Sequence, residues 1–438
     1  MTTEQKLHIF VVGLEPHQQQ ILERLPAADG MCFHALIPAE RLRGVEELPI
    51  ERLYREGSAT LAAWGGPIDG IIALLDFPAT EIAALLARDH GLPGPPLEAI
   101  LRCNHKYWSR LLQVQAAPQA VPRFYAFDPF REGDVVRIER EIGYPCWVKP
   151  VNAYRSMLGF RADCRPEMDQ AMAQLRQGVQ RLAEPFAWIL EQAELPEPIN
   201  TLPPHICLAE QIIGGHQCTL EGYVHQGEPQ VYAVIDSIQA PNGLSFARYQ
   251  YPSTLPQPVQ ARMSQIACQV ARAAGLDQAP FNVELFHDKQ QDQIWLLEIN
   301  PRLSQSHCEL LEKVDGVSHQ QIAIDLALGR TPRIQHGDGE WPCAAKFFVR
   351  AYRDGRVIRV PGQDHIAAIE QQLPGVSIQL HVNAEEVLSQ LADQDSYSYE
   401  LASIWIGGHS TEALEAKYQK CEELLGIEVD YVQEKHSS

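Results

Sequence analysis

This sequence of 438 residues lacks the short motifs by which many nucleotide- and metal-binding sites are identified. It contains no G-x-x-x-x-G-K-[ST] loop, no H-E-x-x-H pair and no G-x-S-x-G turn, which excludes the P-loop, zincin and nucleophile-elbow patterns. No G-x-G-x-x-G follows the first predicted strand, so a dinucleotide fingerprint is also missing. Any catalytic site must therefore be assembled from residues that are dispersed along the chain.

Long apolar runs and paired cysteines are missing as well. No run of 18 apolar residues occurs, and the apolar stretch after MTTEQK is too short for the core of a signal peptide. The ten cysteines are scattered without a C-x-x-C pair, so zinc-finger spacing is excluded. These absences predict a cytoplasmic protein that does not enter a membrane and whose thiols are reduced.

Positive charge is scarce, because 36 Lys and Arg residues stand against 56 Asp and Glu residues and give a formal net charge of -20. Binding to nucleic acid or to an anionic membrane needs clustered basic residues, so neither partner is expected. An apolar content of 45% and a charged content of 21% are ordinary for a globular protein. The length of the chain predicts about two to four domains.

Strand and helix signals alternate at the start of the chain. LHIFVV and IDGIIALLD are typical of buried strands, and helical patterns follow them, so residues 1–112 are predicted to form a parallel α/β domain. A single helix is expected from Leu97 to Gln113. Residues 113–332 are predicted to form a second domain. Residues 333–438 mix strands with two helices and are predicted to form a C-terminal α+β domain, so the fold class combines α/β and α+β.

The most informative segment is FNVELFHDKQQDQIWLLEINPR, residues 281–302. Two runs of strand-forming residues flank the polar turn DKQQD, which predicts a β-hairpin. If the strands pair symmetrically about Gln290, Glu284 lies opposite Leu296 and Asn282 lies opposite Glu298.

Side-chain alternation places the polar groups of the hairpin on one face. That face carries Asn282, Glu284, Glu298 and Asn300. The opposite face is predicted to be core and carries Val283, Leu285, Trp295, Leu297 and Ile299. A carboxylate in an otherwise apolar hairpin costs free energy unless a partner or a cation neutralises it. An all-oxygen ligand set suits a hard cation such as Mg²⁺, so Glu284, Glu298 and Asn300 are predicted metal ligands.

Further candidate residues precede the hairpin in a fixed order. Lys106 lies in CNHKYWSRLL, Lys149 ends the strand YPCWVKP before a turn with Ser and Gly, and Glu210 precedes Gly214-Gly215. Each residue alone is weak, since a lone lysine at a strand end is usually a surface residue. The order of K-P, a Ser/Gly loop, E-x-I-I-G-G and E-I-N-P-R resembles the ATP-grasp superfamily, over about residues 101–331.

The resemblance implies an ATP-grasp fold with a preceding parallel α/β domain, a lid subdomain over about residues 140–213 and a C-terminal α+β domain. It implies ATP and Mg²⁺ (or Mn²⁺) as cofactors. Two lysines would contact phosphates, a loop would fold over them, and a strand linking two lobes would bond adenine. The implied nucleotide-binding residues are Lys106, Lys149, Arg155, Ser156, Gly159, Glu210, Gln211, Ile212 and Glu221. Arg302 is implied to contact the transferred phosphoryl group or an acyl phosphate.

The residues after E-I-N-P-R depart from the pattern of dipeptide-forming members, which commonly continue into a Gly-rich turn. Here Ser304-Gln305-Ser306-His307 follow. His307 is a candidate catalytic residue, as a substrate contact or a base, and a structural role is the alternative. The departure leaves the identity of the substrate open.

The C-terminal segment AAKFFVRAYRDGRVIRVPG and the late GG-x-S-x-E-A helix resemble L-amino-acid ligases. The resemblance therefore implies a carboxylate–amine ligase that acts on small-molecule substrates through an acyl phosphate, and a homodimer is common in the family. Two alternatives stay open. One is a bicarbonate-activating enzyme of the biotin carboxylase or purine-pathway type, and the other is a non-catalytic nucleotide-binding module.

Overall fold

The computed structural model describes residues 6–43, 48–152, 157–243, 245–391, 394 and 397–431. The chain divides into two compact units, and each unit is assembled from three separate segments. The first unit comprises residues 1–234, 255–305 and 320–333. The second unit comprises residues 235–254, 306–319 and 334–438.

The elements of the described residues are numbered in chain order. The strands are β1 (Leu7–Leu14), β2 (Met31–Pro38), β3 (Gly70–Ala73), β4 (Phe124–Phe127), β5 (Cys146–Pro150), β6 (Phe160–Ala162), β7 (Cys207–Gln211), β8 (His216–His225), β9 (Glu228–Gln239), β10 (Phe246–Tyr251), β11 (Ala279–Asp288), β12 (Gln293–Asn300), β13 (Cys343–Ala351), β14 (Gly355–Arg359), β15 (Val376–Leu380), β16 (Tyr399–Gly408) and β17 (Glu428–Tyr431). The helices are α1 (Pro16–Glu23), α2 (Ile50–Ala63), α3 (Ala79–Asp89), α4 (Leu97–Asn104), α5 (Lys106–Ala116), α6 (Asp134–Glu141), α7 (Arg165–Leu190), α8 (Gln257–Ala274), α9 (Cys308–Asp315), α10 (Gln320–Ala327), α11 (Gln363–Gln372) and α12 (Thr411–Leu425).

A small parallel sheet begins the first unit, with strand order β2-β1-β3. The centre of β1 is fully buried from Ile9 to Val12, and buried apolar residues of α2 and α3 pack in the same core. The predicted parallel α/β arrangement is thereby confirmed. The chain leaves β3 through Leu74 and Leu75 and reaches Asp76 at the carboxyl edge of the sheet, which is the edge where α/β sheets commonly bind ligands.

The predicted single helix from 97 to 113 is wrong, because α4 ends at Asn104 and α5 begins at Lys106. His105 between them is extended, and its Nδ1 accepts a hydrogen bond of 3.2 Å from the backbone N–H of Trp108, which caps α5. The backbone N–H of Lys106 donates to the carbonyl of Val151 at 2.7 Å. The break therefore fixes Lys106 in the first turn of α5, next to the end of β5.

A second sheet of the first unit is antiparallel, in the order β4-β7-β5-β6. Its core contains Val148 and Phe127 from the strands, with Ile138 of α6 and Leu175 of α7 packed against them. Pairing of β5 with β7 sets Trp147 opposite Glu210, so Lys149 is the diagonal neighbour of Glu210.

The predicted hairpin forms β11 and β12 in a third sheet of the first unit, where β11 also pairs with β8. Buried side chains of α8 pack in one cluster with those of both strands. The register prediction is wrong. Near the turn the strands already pair one residue off the predicted register, with Leu285 opposite Leu296. A β-bulge then leaves Leu297 as an extra residue and sets Glu284 opposite Glu298 and Asn282 opposite Asn300.

Because of the bulge, the residues of β12 before Leu297 lie on the opposite faces from those that unbroken alternation predicts. Leu296 and Ile294 are buried, whereas Trp295 and Leu297 are partly exposed. The prediction of Trp295 and Leu297 as core residues is therefore wrong, while Ile299 beyond the bulge is buried as predicted.

The second unit contains the end of β9 and the strands β10, β13, β16 and β15, which pair in that order and antiparallel. Two further strands, β14 and β17, form a separate antiparallel pair. Its core clusters residues of β13 and β16 with residues of α11 and α12. The predicted α+β character of the C-terminal part is confirmed. Within the described ranges, no helix has both the length and the apolarity that a membrane span requires.

Candidate active site

The bulged hairpin sets two carboxylates directly opposite each other, those of Glu284 and Glu298. Like charges at such a cross-strand position repel. Gln217 Nε2 donates to Glu284 Oε2 at 3.0 Å, and Lys106 Nζ lies 3.5 Å from Glu298 Oε2. These contacts bring both predicted carboxylate ligands together with a predicted phosphate-binding lysine.

The two carboxylates differ in acidity because their surroundings differ. Burial, together with the neighbouring charge of Glu298, raises the pKa of Glu284 to about 7. Burial alone would also raise the pKa of Glu298, but the cations Lys106 and Lys149 bring it below its ordinary value. A pair of half-buried acids of which one resists ionisation is a donor set that a divalent cation fits, since the cation would remove the repulsion.

The amide pair Asn282 and Asn300 extends the same face. Asn300 Nδ2 donates to Asn282 Oδ1 at 3.0 Å, and Asn282 Nδ2 donates to the backbone carbonyl of Arg302 at 3.0 Å. Within the described ranges, Oδ1 of Asn300 takes part in no hydrogen bond. The amide oxygen that could contact a metal is therefore still available, and the direction of this amide is fixed through its nitrogen.

Arg110, which the sequence reasoning missed, holds the centre of an ion network. Its Nε lies 2.5 Å from Glu210 Oε1, and Lys149 Nζ lies 2.6 Å from Glu210 Oε2. Burial opposes the ionisation of Glu210, but Arg110 and Lys149 outweigh it and lower the pKa of Glu210 to about 2. The side chain of Glu210 is thus occupied by the two cations.

The same arginine explains why the bulge is stable. Arg110 Nη1 and Nη2 donate to the carbonyls of Leu296 and Leu297 at 3.0 and 2.8 Å, so the disrupted part of the ladder is satisfied by a side chain. A sequence signal for Arg110 exists, because it lies four residues after Lys106, and residues four apart share a helix face.

The other predicted nucleotide-binding residues lie at several places. Gln211 donates its backbone N–H to the carbonyl of Arg123 at 2.9 Å, and Ile212 follows it directly after the end of β7. Gly159 is buried directly before β6. Arg155 and Ser156 lie outside the described residues.

Glu221 lies at the end of the site that contains Arg302 and Ser304, the residues that follow β12. It is fully buried, and its Oε1 accepts a hydrogen bond of 3.1 Å from the backbone N–H of Ser304. Burial lowers the pKa of the Arg302 guanidinium, but Asp76 and then the charge of Glu221 outweigh it and raise this pKa above its ordinary value. The structure therefore groups Glu221 with Arg302 and Ser304.

Arg302 is paired with a residue that the sequence reasoning missed, Asp76. Arg302 Nε and Nη2 donate to Asp76 Oδ2 at 3.0 and 2.7 Å. Burial would raise the pKa of Asp76, but the charge of Arg302 brings it below its ordinary value. The available signal was the position of Asp76 after a predicted parallel strand, at the edge where ligands bind.

His307 belongs to the second unit. It is buried, and its ring packs edge-on against Tyr249 with 5.0 Å between the ring centroids. The neighbouring Ser306 Oγ accepts a hydrogen bond of 3.2 Å from Lys346 Nζ in the same unit.

Comparison with known sequences identifies the domain that carries the hairpin. Residues 142–309 match the family model of the ATP-grasp domain. A D-alanine–D-alanine ligase from a Synechococcus strain is 27% identical over 43% of this chain and 50% of its own length. The C-terminal section of the carbamoyl phosphate synthase large chain from Methanopyrus kandleri is 25% identical over 51% of this chain and 36% of its own length. The chain thus spans half or less of these curated relatives.

Comparison with solved structures extends the similarity of the fold over nearly the whole chain. The L-amino acid ligase from Bacillus licheniformis superposes with a TM-score of 0.73 at 19% identity, over 98% of this chain and all of the other. A biotin carboxylase from Campylobacter jejuni superposes with a TM-score of 0.62 at 13% identity, over 98% of this chain and 93% of the other.

These similarities show that the protein has the ATP-grasp fold. In this chain the sheets bring lysines and paired carboxylates together. Residues 142–309 thus match the ATP-grasp domain, and the chain is similar to carboxylate–amine ligases of ATP-grasp type.

Proposed function

We propose that this protein is an ATP-dependent carboxylate–amine ligase that forms an amide or peptide bond through an acyl phosphate, on amino-acid-like substrates. The observation that carries the proposal is the pairing of Glu284 with Glu298, with Lys106 Nζ 3.5 Å from the second carboxylate. Cations and paired acids within one cleft are what phosphoryl transfer requires, since that reaction depends on positioning and charge neutralisation.

The nucleotide would be held by the two lysines and by the strand that carries Glu210. Lys106 and Lys149 would neutralise phosphate oxygens, and Glu210 would keep Lys149 in place. Adenine would meet the segment from Glu210 to Ile212. Glu284, Glu298 and Asn300 would hold Mg²⁺, and the bound ion would neutralise charge on the transferred phosphoryl group.

The chemistry proceeds in two steps. A carboxylate oxygen of the first substrate attacks the γ-phosphorus of ATP, which yields the acyl phosphate and ADP. The nitrogen of the second substrate then attacks the acyl carbon, phosphate leaves with the bonding electrons, and the nitrogen loses a proton. Arg302 would hold the anionic group, because its guanidinium matches carboxylate and phosphate oxygens. Exclusion of water by a closed site would protect the acyl phosphate from hydrolysis.

The similarity to an L-amino acid ligase over nearly all of the chain supports amino-acid-like substrates. The similarity to a biotin carboxylase supports bicarbonate as a second candidate for the acid that is phosphorylated. A cytoplasmic location and a homodimeric state stay predictions from the sequence and the resemblance.

Measurement of ADP with ATP, Mg²⁺ and pairs from a panel of amino acids tests the proposal. We expect ADP to be released only when both a carboxylate and an amine are present, with a product whose mass is the sum of the two substrates minus water. A panel in which ADP never rises above background contradicts the ligase function. ADP release that requires bicarbonate instead supports the second candidate, and nucleotide binding without any release supports a non-catalytic module.

A further inference from the structure

The loop that follows β3 of the parallel sheet contributes a charged side chain to the site, Asp76. Its Oδ2 accepts hydrogen bonds from both Nε and Nη2 of Arg302, at 3.0 and 2.7 Å. Its Oδ1 accepts a hydrogen bond of 2.9 Å from the backbone N–H of Phe77. Both oxygens of the carboxylate are therefore committed, and one edge of the guanidinium is held by a carboxylate that cannot rotate without breaking a hydrogen bond.

The other edge of the same guanidinium has no such partner. Over the described parts of the chain, Nη1 of Arg302 donates no hydrogen bond. The backbone of Arg302 is fixed separately, because its carbonyl accepts a hydrogen bond of 3.0 Å from Asn282 Nδ2. A residue that is fixed at its backbone and along one edge presents the remaining donors in a defined direction, which is the condition for binding an anion with several oxygens.

Stability alone does not account for this pair. The side chains are 23% exposed for Arg302 and 30% exposed for Asp76, and ion pairs that water reaches contribute little to the free energy of unfolding. An ion pair inside a catalytic cleft instead fixes the orientation of its arginine side chain, because a small misplacement of a binding group lowers the catalytic rate.

We propose that Asp76 is a positioning residue, which holds the Nε–Nη2 edge of Arg302 so that the Nη1 side binds the phosphoryl or acyl-phosphate oxygens. The inference deepens the proposed function and rests on it for the identity of the anion. It gives the N-terminal α/β part of the chain a direct part in the site, through the loop that follows β3. Asp76 itself need not touch the substrate.

Binding of inorganic phosphate to the full-length protein saturated with MgADP tests this inference without turnover. Calorimetry on the wild type, Asp76→Asn, Arg302→Lys and the double variant gives the coupling of the two residues. We expect Asp76→Asn to weaken phosphate binding about tenfold and to leave the affinity for ADP within about twofold. The double variant should bind phosphate no more weakly than Arg302→Lys alone, because Asp76 acts through Arg302.

A matched control is Asp69→Asn, which removes a carboxylate just before β3 that accepts a hydrogen bond of 2.7 Å from the backbone N–H of His8. Phosphate binding should not change in this variant. Unchanged phosphate binding in Asp76→Asn, losses that multiply in the double variant, or no phosphate binding by the wild type would each overturn the inference. If phosphate binding follows the expected pattern but no carboxylate–amine pair releases ADP, the ligase function fails and the role of Asp76 stands.

Discussion

Glu210 shows how a buried charge is tolerated in this site. Both of its oxygens are bound by cations, Arg110 on one side and Lys149 on the other. Removal of one member of such a network leaves the other charges buried without a counter-charge. The resulting loss of unfolding free energy is far larger than the net stability that the intact network contributes. Glu210 is therefore predicted to be indispensable for stability as well as for the nucleotide site.

The substitution Glu210→Gln should lower the free energy of unfolding by about 3–5 kcal/mol, because it leaves the charges of Arg110 and Lys149 buried without their shared carboxylate. Urea unfolding followed by circular dichroism measures the change. Glu141→Gln is a suitable control, since Glu141 is an exposed partner of Arg140 and its loss should change the free energy by less than about 0.5 kcal/mol. Equal stability of the two variants would contradict the prediction.

The same carboxylate predicts an acid dependence of stability. The pKa of Glu210 is lowered from 4.5 to about 2 in the folded protein. A depressed pKa stabilises the fold above the unfolded value, and this contribution is lost as the pH falls from about 4.5 to about 2. The difference in unfolding free energy between wild type and Glu210→Gln should therefore shrink across this interval. A difference that stays constant with pH would show that the charge of Glu210 is not its source.

The substitution Glu298→Gln should reduce ADP release at least about a hundredfold, because loss of a charged metal ligand weakens phosphate neutralisation. The fold should be preserved, since glutamine has the same shape and removes the repulsion with Glu284. Steady-state ADP release and thermal unfolding measure the two effects. Asp288→Asn, at the end of β11 next to the turn, is the control and should behave as the wild type. Wild-type activity in Glu298→Gln would refute the metal assignment.

Some site residues can be predicted from local sequence motifs, whereas others are evident only from contacts in the folded protein. Lys149, Glu298 and Arg302 occur in recognisable local strings, so their order along the chain was enough to select them. Asp76 contacts Arg302 across 226 positions of the chain, and no local string records such a contact. Arg110 can be predicted from the sequence, because its spacing of four residues from Lys106 places both side chains on one face of α5.

Among the elements, the hairpin was predicted in type and nearly in extent, but its register was not. Alternation fixes which residues share a face only while the pleat is unbroken, and one extra residue reverses the assignment beyond it. The adjacent pair Leu296 and Leu297 already interrupts the alternation in the sequence. The break between α4 and α5 was missed for a similar reason, since the capping role of His105 depends on its backbone conformation.

The hairpin predicts that metal binding releases a proton. Glu284 has a pKa raised to about 7, so below neutral pH it is largely protonated, and a divalent cation must displace that proton. The affinity for Mg²⁺ with ADP should therefore fall as the pH decreases below 7, by up to about tenfold per pH unit. Calorimetry in buffers of different ionisation enthalpy measures the released protons. Glu284→Gln should bind metal weakly and release none, and a binding enthalpy of the wild type that is independent of buffer would contradict the prediction.

For the whole molecule, the sequence predicted the kinds of fold present and their order, which the structure confirms. It did not reveal that the second unit takes two short segments from the middle of the chain, residues 235–254 and 306–319. These segments join it through strand pairing, as where β10 pairs with β13. Pairing between strands so far apart in the chain depends on hydrogen bonds that local patterns do not encode.

This interleaving predicts that the C-terminal part of the chain cannot be removed cleanly. A chain that ends at Arg333 keeps β10 but loses β13, whose residues Ala344 to Phe347 pair with it, together with nearly all of the apolar core of the second unit. An unpaired strand edge with an exposed apolar face promotes aggregation, so this chain should be insoluble or unfold without cooperativity. A chain that ends at Tyr431 keeps every described element and should match the full-length protein in solubility and thermal unfolding. If the shorter chain were instead soluble and monomeric with an unchanged melting temperature, the middle segments would not depend on the C-terminal strands for their structure.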